Sequence, residues 1–458
     1  MENNINTPSA SNKDIGMATR SNNENRIDKA SASNTGKEIE AASASNVLKD
    51  LADGIARFKP GKCPEHCIYE VPRSLRSIEP KAYTPQVVSL GPAHCGHEEL
   101  VSMEKQKLRY LAEFMDGKKV TLDDLVTIVQ KNEMEIRGCY NFNRSSDDFV
   151  KMILLDAVFV IEFLLQFFNL FCEEVPILPE PRMMFGLQVD LILLENQLPY
   201  FILEKIYEQT YADPETQASL TFPELVAFYF GHYYRISQRP KVNSVGIKHF
   251  TDFLRYAMLN ESLEILPRRP SANVKLKYSA TMLHKAGLKF EATENSCVLD
   301  INFVNGVLKM PRFEVNQSFE YVTRNLMAYE QCHYPYSTYI CNYFMLMDHL
   351  INTEEDVDLL VKVGVIDNWL GNNAMVADLI NRLCEQINEF FTCYHDLCVD
   401  LNAYYENRCN HRKATLKLVY FSNLWRGTGT VAAAALLILT VIQTVCSIIS
   451  LLGPKQLI

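Results

Sequence analysis

The sequence lacks the features that mark several common classes of protein. Its N-terminus has no basic region followed by an apolar core, which argues against a secretory signal peptide. It has no Gly-x-Ser-x-Gly elbow and no glycine-rich phosphate loop, so common hydrolase and nucleotide-binding motifs are missing. The net charge is -10 and no basic stripe runs through the folded part, so no nucleic-acid partner is expected.

The cysteines do not form a disulfide framework. The chain has 13 of them, unevenly scattered over 458 residues, which is typical of a reduced intracellular protein. Apolar residues make up 48% and charged residues 22%, so the chain can form a sizeable core.

The composition divides the chain into four segments. Residues 1–46 are rich in Asn and Ser, repeat Ser-Ala-Ser-Asn at Ser9, Ser31 and Ser43, and are predicted to be a disordered tail. Residues 47–426 show apolar periodicity and are predicted to form a mainly α-helical domain. A transmembrane helix at 427–452 and a short tail at 453–458 complete the prediction.

Helical spacing recurs through the domain. It predicts helices at 98–115, 122–136, 149–171, 199–209, 222–234, 247–259, and from about 319 to 405 with breaks near Gly364 and Gly371. Thr121 is the expected N-cap of the second helix, and Lys107 is expected on the polar face of the first. Asp156 and Glu162 interrupt the apolar run 149–171, which favours a buried core helix over a membrane span.

Two places depart from simple helical spacing. Residues 190–197 are expected to end one helix, because Pro199 belongs in the first turn of the next. Short apolar stretches at 288–290, 298–303 and 307–310 flank Asn305-Gly306, a dipeptide that favours a two-residue turn. A small β-hairpin is therefore predicted there.

The C-terminal segment 427–452 contains no charged residue and is long enough to span a bilayer. Arg412, Lys413, Lys417 and Arg426 precede it, whereas only Lys455 follows. The positive-inside rule then places the large domain in the cytosol, as in a tail-anchored protein at the plasma membrane or an endomembrane. Three Asn-x-Ser triplets, at Asn143, Asn260 and Asn316, leave open a domain outside the cytosol.

Several ordered motifs resemble one plant family. They are Ile-Tyr-Glu-Val-Pro at 68–72, Tyr-Thr-Pro-Gln-Val-Val-Ser-Leu-Gly-Pro at 83–92, Asp-Leu-Ile-Leu-Leu-Glu-Asn-Gln-Leu-Pro at 190–199, Asn-Gly-Val-Leu-Lys-Met-Pro at 305–311, and Arg-Asn-Leu-Met-Ala-Tyr-Glu-Gln at 324–331. Together they resemble the DUF247 (UPF0481) family. The resemblance implies a single-pass plant membrane protein without established enzymatic activity, and some grass members are linked to self-incompatibility.

A zinc site is one alternative for the chemistry. Cysteine and histidine cluster at Cys63, His66, Cys67, His94, Cys95 and His97, but their spacing matches no standard zinc motif. Reduced cysteines and surface histidines are the expected interpretation, and no metal or cofactor is assigned.

Acid–base catalysis is the second alternative. Asp190 with Glu195, or Asp156 with Glu162, could form a buried acid–base pair. The expected role is instead to cap a helix or to pair with Arg or Lys, and Arg324 and Arg182 are available partners. The residues Glu195, Asn196 and Gln197 are expected to tie a helix end to neighbouring backbone.

Two further patterns have a simple structural interpretation. Cys332-His333 and Cys393-Tyr394-His395 place thiol and imidazole close in sequence, which is weak support for a catalytic dyad. The aromatic stripe, defined as Phe228, Tyr229, Phe230, Tyr233 and Tyr234, is expected to pack in the core, with a partner-binding groove as the alternative.

No catalytic, cofactor-binding or metal-binding residue is therefore assigned. The favoured function is a membrane-tethered interaction or signalling module, with a lipid bilayer and an unidentified protein as partners. An enzyme with a buried carboxylate or Cys/His site and a cell-surface recognition protein are the alternatives.

Overall fold

Helices and short strands alternate with loops along the chain. The computed structural model describes residues 48, 49, 52, 66–116, 120–142, 148–172, 181–211, 220–234, 246–259, 274–294, 297, 299–388, 391–415 and 424–451. The predicted tails at 1–46 and 453–458 lie outside these residues. The helices and strands named for this fold belong to the compact unit Pro64–Ile458.

The described part is mainly helical, as predicted. Its α-helices are α1 Arg73–Arg76, α2 Val101–Met115, α3 Leu122–Gly138, α4 Phe149–Cys172, α5 Pro181–Asp190, α6 Tyr200–Tyr211, α7 Phe222–Tyr234, α8 Phe250–Leu259, α9 Ala280–Lys285, α10 Phe319–His333, α11 Tyr339–Leu350, α12 Glu354–Lys362, α13 Asn373–Leu383, α14 His395–Glu406, α15 Arg408–Thr415 and α16 Leu424–Leu451. Short 3-10 helices lie at Pro80–Tyr83 and Glu98–Leu100.

The strands form two small sheets. β1 Lys289–Thr293, β2 Asn302–Val304 and β3 Val307–Pro311 make the first, in the order β1-β3-β2. β4 Phe313–Val315 and β5 Ile366–Asn368 pair in parallel to make the second.

The hairpin prediction is confirmed. β2 and β3 are antiparallel, and the turn residues Asn305 and Gly306 have φ of 51° and 79°. Positive φ at both central residues is what a type I′ turn requires, and Asn-Gly accepts it. β1 also joins β3 in parallel. Such a pairing needs a crossover and leaves no short-range signal, so the sequence prediction misses it.

The first half of the domain is built around α4, which packs against α2, α3, α6 and α7. Ile153, Val158, Phe159 and Ile161 are fully buried, so this apolar helix is a core helix, as predicted. Thr121 caps α3 through a capping box with Asp124, also as predicted.

Residues 190–197 depart from the prediction. The helix α5 ends at Asp190, and the following residues form turns up to α6. Gln197 Nε2 donates to the carbonyls of Leu191 and Leu193 at 2.8 and 2.9 Å, and Asn196 Nδ2 donates to that of Asp190 at 3.0 Å. These side chains satisfy the carbonyls that a continued helix would have bonded.

Candidate functional site

Two segments meet at a buried polar region of the domain. We call residues 66–92 the strap and residues 190–199 the polar turn. Asp190 lies at the centre and is fully buried. Its carboxylate accepts the backbone N–H groups of Gln86, Val87 and Val88 at 2.8, 2.7 and 2.8 Å. One side chain therefore fixes three consecutive residues of the strap.

Glu195 holds the strap at a second place. It accepts the backbone N–H of Val71 at 2.6 Å and the guanidinium of Arg76 at 2.5 Å, while His94 Nε2 lies 3.2 Å away. Burial opposes ionisation, but His94 and Arg76 outweigh it and lower the pKa of Glu195. This carboxyl is therefore an ion-pair partner.

Amide side chains complete the connection. Asn196 accepts the backbone N–H of Leu90 at 2.7 Å and donates to the carbonyl of Val88 at 3.0 Å. Asn325 of α10 accepts the N–H of Leu194 at 2.9 Å and donates to the carbonyl of Ala82 at 2.8 Å. The strap, the polar turn and α10 thus share one hydrogen-bond network.

A buried ion pair fixes the end of the strap. Lys107 of α2 lies 2.6 Å from Asp156 of α4, and each side chain is 1% exposed. Lys107 also donates to the carbonyl of Ser89, and Asp156 accepts the N–H of Gly91. Burial disfavours the ammonium, but Asp156 and Glu104 outweigh it and raise the pKa of Lys107.

The expected pairing with Arg or Lys is confirmed for Glu195 and Asp156, whose partners are Arg76 and Lys107. The two arginines considered as partners are wrong, because Arg324 pairs with Glu320 at 2.9 Å and Arg182 is exposed. Placing Lys107 on a polar face is also wrong, because the buried carboxylate of Asp156 draws it into the core.

The four carboxylates do not converge as catalytic pairs. Asp190 and Glu195 hold different parts of the strap, and Glu162 accepts the Tyr211 hydroxyl at 3.2 Å. These contacts bear out the expectation that Glu195, Asn196 and Gln197 connect a helix end to neighbouring backbone.

A second buried polar cluster, missed in the sequence, connects α8 and α10. Arg255 Nε donates to Glu330 at 2.8 Å, and Glu330 also accepts the N–H of Cys341 at 2.9 Å. Asp252 accepts the hydroxyls of Tyr329 and Tyr334 at 3.0 and 3.1 Å. In the sequence, the signal that could have indicated this cluster is the presence of ionisable residues inside apolar helical stretches.

The residues considered for a zinc site do not form one within the described part of the chain. Cys63 lies outside the described residues. His66 Nδ1 lies 2.9 Å from the carbonyl of Gly138, and the rings of His94 and His97 are 5.6 Å apart. Within the described ranges, no group of three His, Cys, Asp or Glu residues could hold a metal ion.

The cysteine and histidine residues that are close in sequence, at 332–333 and 393–395, contact other parts of the domain. Burial raises the pKa of Cys332 to about 11, and His333 Nδ1 lies 2.8 Å from the Tyr69 hydroxyl. Cys393 donates its N–H to Asn342 at 3.1 Å. These contacts are structural.

The aromatic stripe packs in the core, as expected. Tyr229 and Phe230 are fully buried, and Phe228, Tyr233 and Tyr234 pack against the core at partial exposure. Phe167 of α4 meets Tyr229 edge to face at 4.8 Å.

A groove opens between α2, α3 and the start of α4. Its volume is about 410 Å³. The lining is mostly aliphatic and consists of Leu108, Leu111, Leu122, Val126, Asp148, Val150, Lys151, Leu154 and Leu155. Leu108 and Leu122 are about half exposed, at 53% and 50%. The groove suits apolar groups, and none of the four carboxylates discussed above lines it.

By length and composition, two described helices could cross a membrane. In α4, 67% of the residues in the most apolar 18-residue part of Phe149–Phe171 are buried in the core. In α16 the stretch Thr428–Ser450 has a mean hydropathy of 2.3, and none of it is buried. The exposed apolar side chains of the described part are thus concentrated on α16.

Comparison with known proteins gives consistent matches over most of the chain. The family model DUF247, described as plant protein of unknown function, matches residues 68–439. One UPF0481 protein of Arabidopsis thaliana is 28% identical, with 85% of this chain and 88% of the relative aligned. A second is 24% identical, with 82% and 89% aligned. No solved structure matches the chain.

Proposed function

Since the chain belongs to DUF247, a family of plant proteins of unknown function, we propose that it is a membrane-tethered protein-interaction module. In this proposal residues 47–426 form the interacting domain and residues 427–452 span the bilayer. The observation that carries it is the exposed apolar helix α16.

The properties of α16 support a membrane span. A helix of 23 residues is roughly 34 Å long, which matches a hydrocarbon core of about 30 Å. Thr440 donates its hydroxyl to the carbonyl of Leu436, and Thr444 donates to that of Thr440, both at 2.8 Å. The polar groups of these residues therefore need no water.

Flanking charge supports a cytosolic domain. Four basic residues lie before the span, at Arg412, Lys413, Lys417 and Arg426, and one follows, at Lys455. In the proposed topology the basic side faces the cytosol at the plasma membrane or an endomembrane.

A groove on the described domain supports the binding of a protein partner. The groove between α2, α3 and α4 offers half-exposed Leu108 and Leu122 to apolar side chains of a protein partner. The buried carboxylates are already bonded to backbone or cations, which leaves the interaction to the surface.

The tether is tested by detergent phase separation. The full-length chain should enter the detergent phase, and Leu437→Arg with Ile438→Arg should shift it towards water, because each charge at mid-bilayer costs about 3 kcal/mol. Met134→Arg is the matched control, since Met134 is 89% exposed on α3. A full-length chain found in the aqueous phase would disprove the tether.

The topology is tested with microsomes that carry the full-length chain. Added protease should degrade the large domain, and glycosidase should leave its mass unchanged. Protection from protease, with glycans on Asn143, Asn260 or Asn316, would support the cell-surface alternative.

The interaction is tested by proximity labelling in plant cells. The full-length chain should label a reproducible set of proteins, which a chain ending before Gly427 should lose if the tether sets its location. Leu108→Glu with Leu122→Glu should remove the groove-dependent part, whereas Met134→Glu should not. Identical sets for all four chains would contradict the proposal.

A further inference from the structure

The N-terminal end of the strap lies beside the C-terminal end of α3. Cys67 belongs to the strap, and Cys139 directly follows α3. Ile68 forms an isolated parallel bridge with Tyr140, so Cys67 and Cys139, one residue earlier on each side, are neighbours. The N–H groups of Cys67 and Ile68 both donate to the carbonyl of Cys139 at 2.9 Å. Asn141 N–H donates to the carbonyl of Ile68 at 3.1 Å.

This arrangement suits a disulfide. Neighbouring strands are about 4.8 Å apart, and disulfide-bonded cysteines have Cα atoms roughly 4.4–6.8 Å apart. Both cysteines are free, and the Cys139 thiol, which donates to the carbonyl of Glu135 at 3.4 Å, would leave that carbonyl on joining Cys67. The backbone would therefore need little movement to place the two sulfur atoms at bonding distance.

The two thiols differ in reactivity. Cys139 is partly exposed, whereas Cys67 is only 4% exposed. The neighbouring Cys67 thiol lowers the pKa of Cys139 and the charge of Lys248 acts in the same direction, while burial opposes both. Cys139 is therefore the thiol that ionises and meets a solvent-borne oxidant, and Cys67 is placed to react second.

We propose that Cys67 and Cys139 are a peroxide-sensitive pair that forms a reversible disulfide between the strap and α3. The Cys139 thiolate attacks hydrogen peroxide, and the O–O bond breaks. With one proton taken up, this gives a sulfenic acid and water. The Cys67 thiol then attacks the sulfenic sulfur, which forms the S–S bond and releases a second water.

The consequence concerns the strap. Its other attachments, to Asp190, Glu195 and Asn196, are non-covalent. A disulfide would add a covalent attachment at its N-terminal end and close a long loop that contains α1, α2 and all of α3, which constrains the unfolded chain.

The test uses the full-length chain in detergent micelles. After dilute hydrogen peroxide and alkylation, peptide mapping should show Cys67 joined to Cys139 with the loss of two hydrogens, and dithiothreitol should reverse it. Trypsin leaves Cys63 and Cys67 on one peptide, so a second cut after Glu65 is needed to separate them. The oxidised chain should also unfold at least about 2 °C higher than the reduced chain.

Three single-residue variants test which cysteines form the cross-link. Cys139→Ser should abolish the cross-link, whereas Cys63→Ser and Cys409→Ser should retain it. The wild-type map is decisive even where a variant fails to fold. Oxidation of Cys139 with Cys67 still alkylated, or a cross-link to another cysteine, would overturn the proposal, as would an unchanged unfolding temperature in the cross-linked chain.

Discussion

At the scale of single residues, the main polar side chains of the domain act on backbone. Asp190 accepts three N–H groups of the strap, and no cation is needed at that point. Burial raises the pKa of Asp190 to about 6 from its ordinary value of 3.8, although the three N–H donors oppose the change. The folded chain therefore binds a proton more tightly than the unfolded chain does.

This arrangement predicts a pH-dependent effect of Asp190→Asn. At pH 7 the free energy of unfolding should fall by about 1–3 kcal/mol, because an amide cannot accept all three N–H groups equally well. The raised pKa adds stability that is complete below pH 3.8 and is lost as the pH rises through about 6. Because asparagine does not titrate, the difference between wild type and variant should be larger at pH 4 than at pH 7.

Urea unfolding of the full-length chain in micelles measures both effects. Asp378→Asn is the control, since Asp378 is exposed on α13 and should change the unfolding free energy little at either pH. A difference that is constant from pH 4 to pH 7, or an Asp190→Asn variant as stable as the control, would refute the assigned role.

At the scale of elements, the backbone of the strap passes very close to that of the polar turn at Gly91. Gly91 has φ of +68°, and a Cβ there would lie 2.8 Å from Tyr140 Oη and 2.9 Å from the carbonyl oxygen of Gln197. Gly96 shares the positive φ, at +82°, but a Cβ there meets nothing within 4 Å. The two glycines therefore separate conformational strain from steric clash.

Alanine substitutions should show this separation. Gly96→Ala should lower the free energy of unfolding by about 1 kcal/mol, the cost of left-handed backbone. Gly91→Ala should cost at least about 2 kcal/mol more, because the polar turn must move away. Chemical unfolding of both full-length variants provides the comparison, and equal losses would mean that the contact with the polar turn is unimportant.

Local sequence patterns predict the helices and turns better than they predict which segments contact each other. The spans of α3, α4 and α7 and the Asn305-Gly306 turn followed from periodicity, capping and turn chemistry, which act over a few residues. The burial of Lys107 does not follow from local patterns, because it depends on Asp156, which lies far along the chain. Arg76 as the partner of Glu195 and the pairing of β1 with β3 likewise depend on contacts between distant segments.

At the scale of the whole molecule, two helices of similar composition have different surroundings. The α4 helix is mostly buried in the domain, whereas no residue of the stretch Thr428–Ser450 in α16 is buried. A chain that ends before Gly427 should therefore unfold within about 2 °C of the full-length chain and should need no detergent to stay in solution. Circular dichroism and size-exclusion chromatography would test this, and a large loss of stability would show that α16 packs on the domain.

The composition of α4 has a consequence during synthesis. On the ribosome, this helix emerges well before α6 and α7, which cover part of it, and long before α16. A nascent chain thus presents an internal segment that resembles a signal anchor to the targeting machinery. Early docking of Lys107 onto Asp156, both already translated at that stage, would hold α2 against α4 and cover part of this segment.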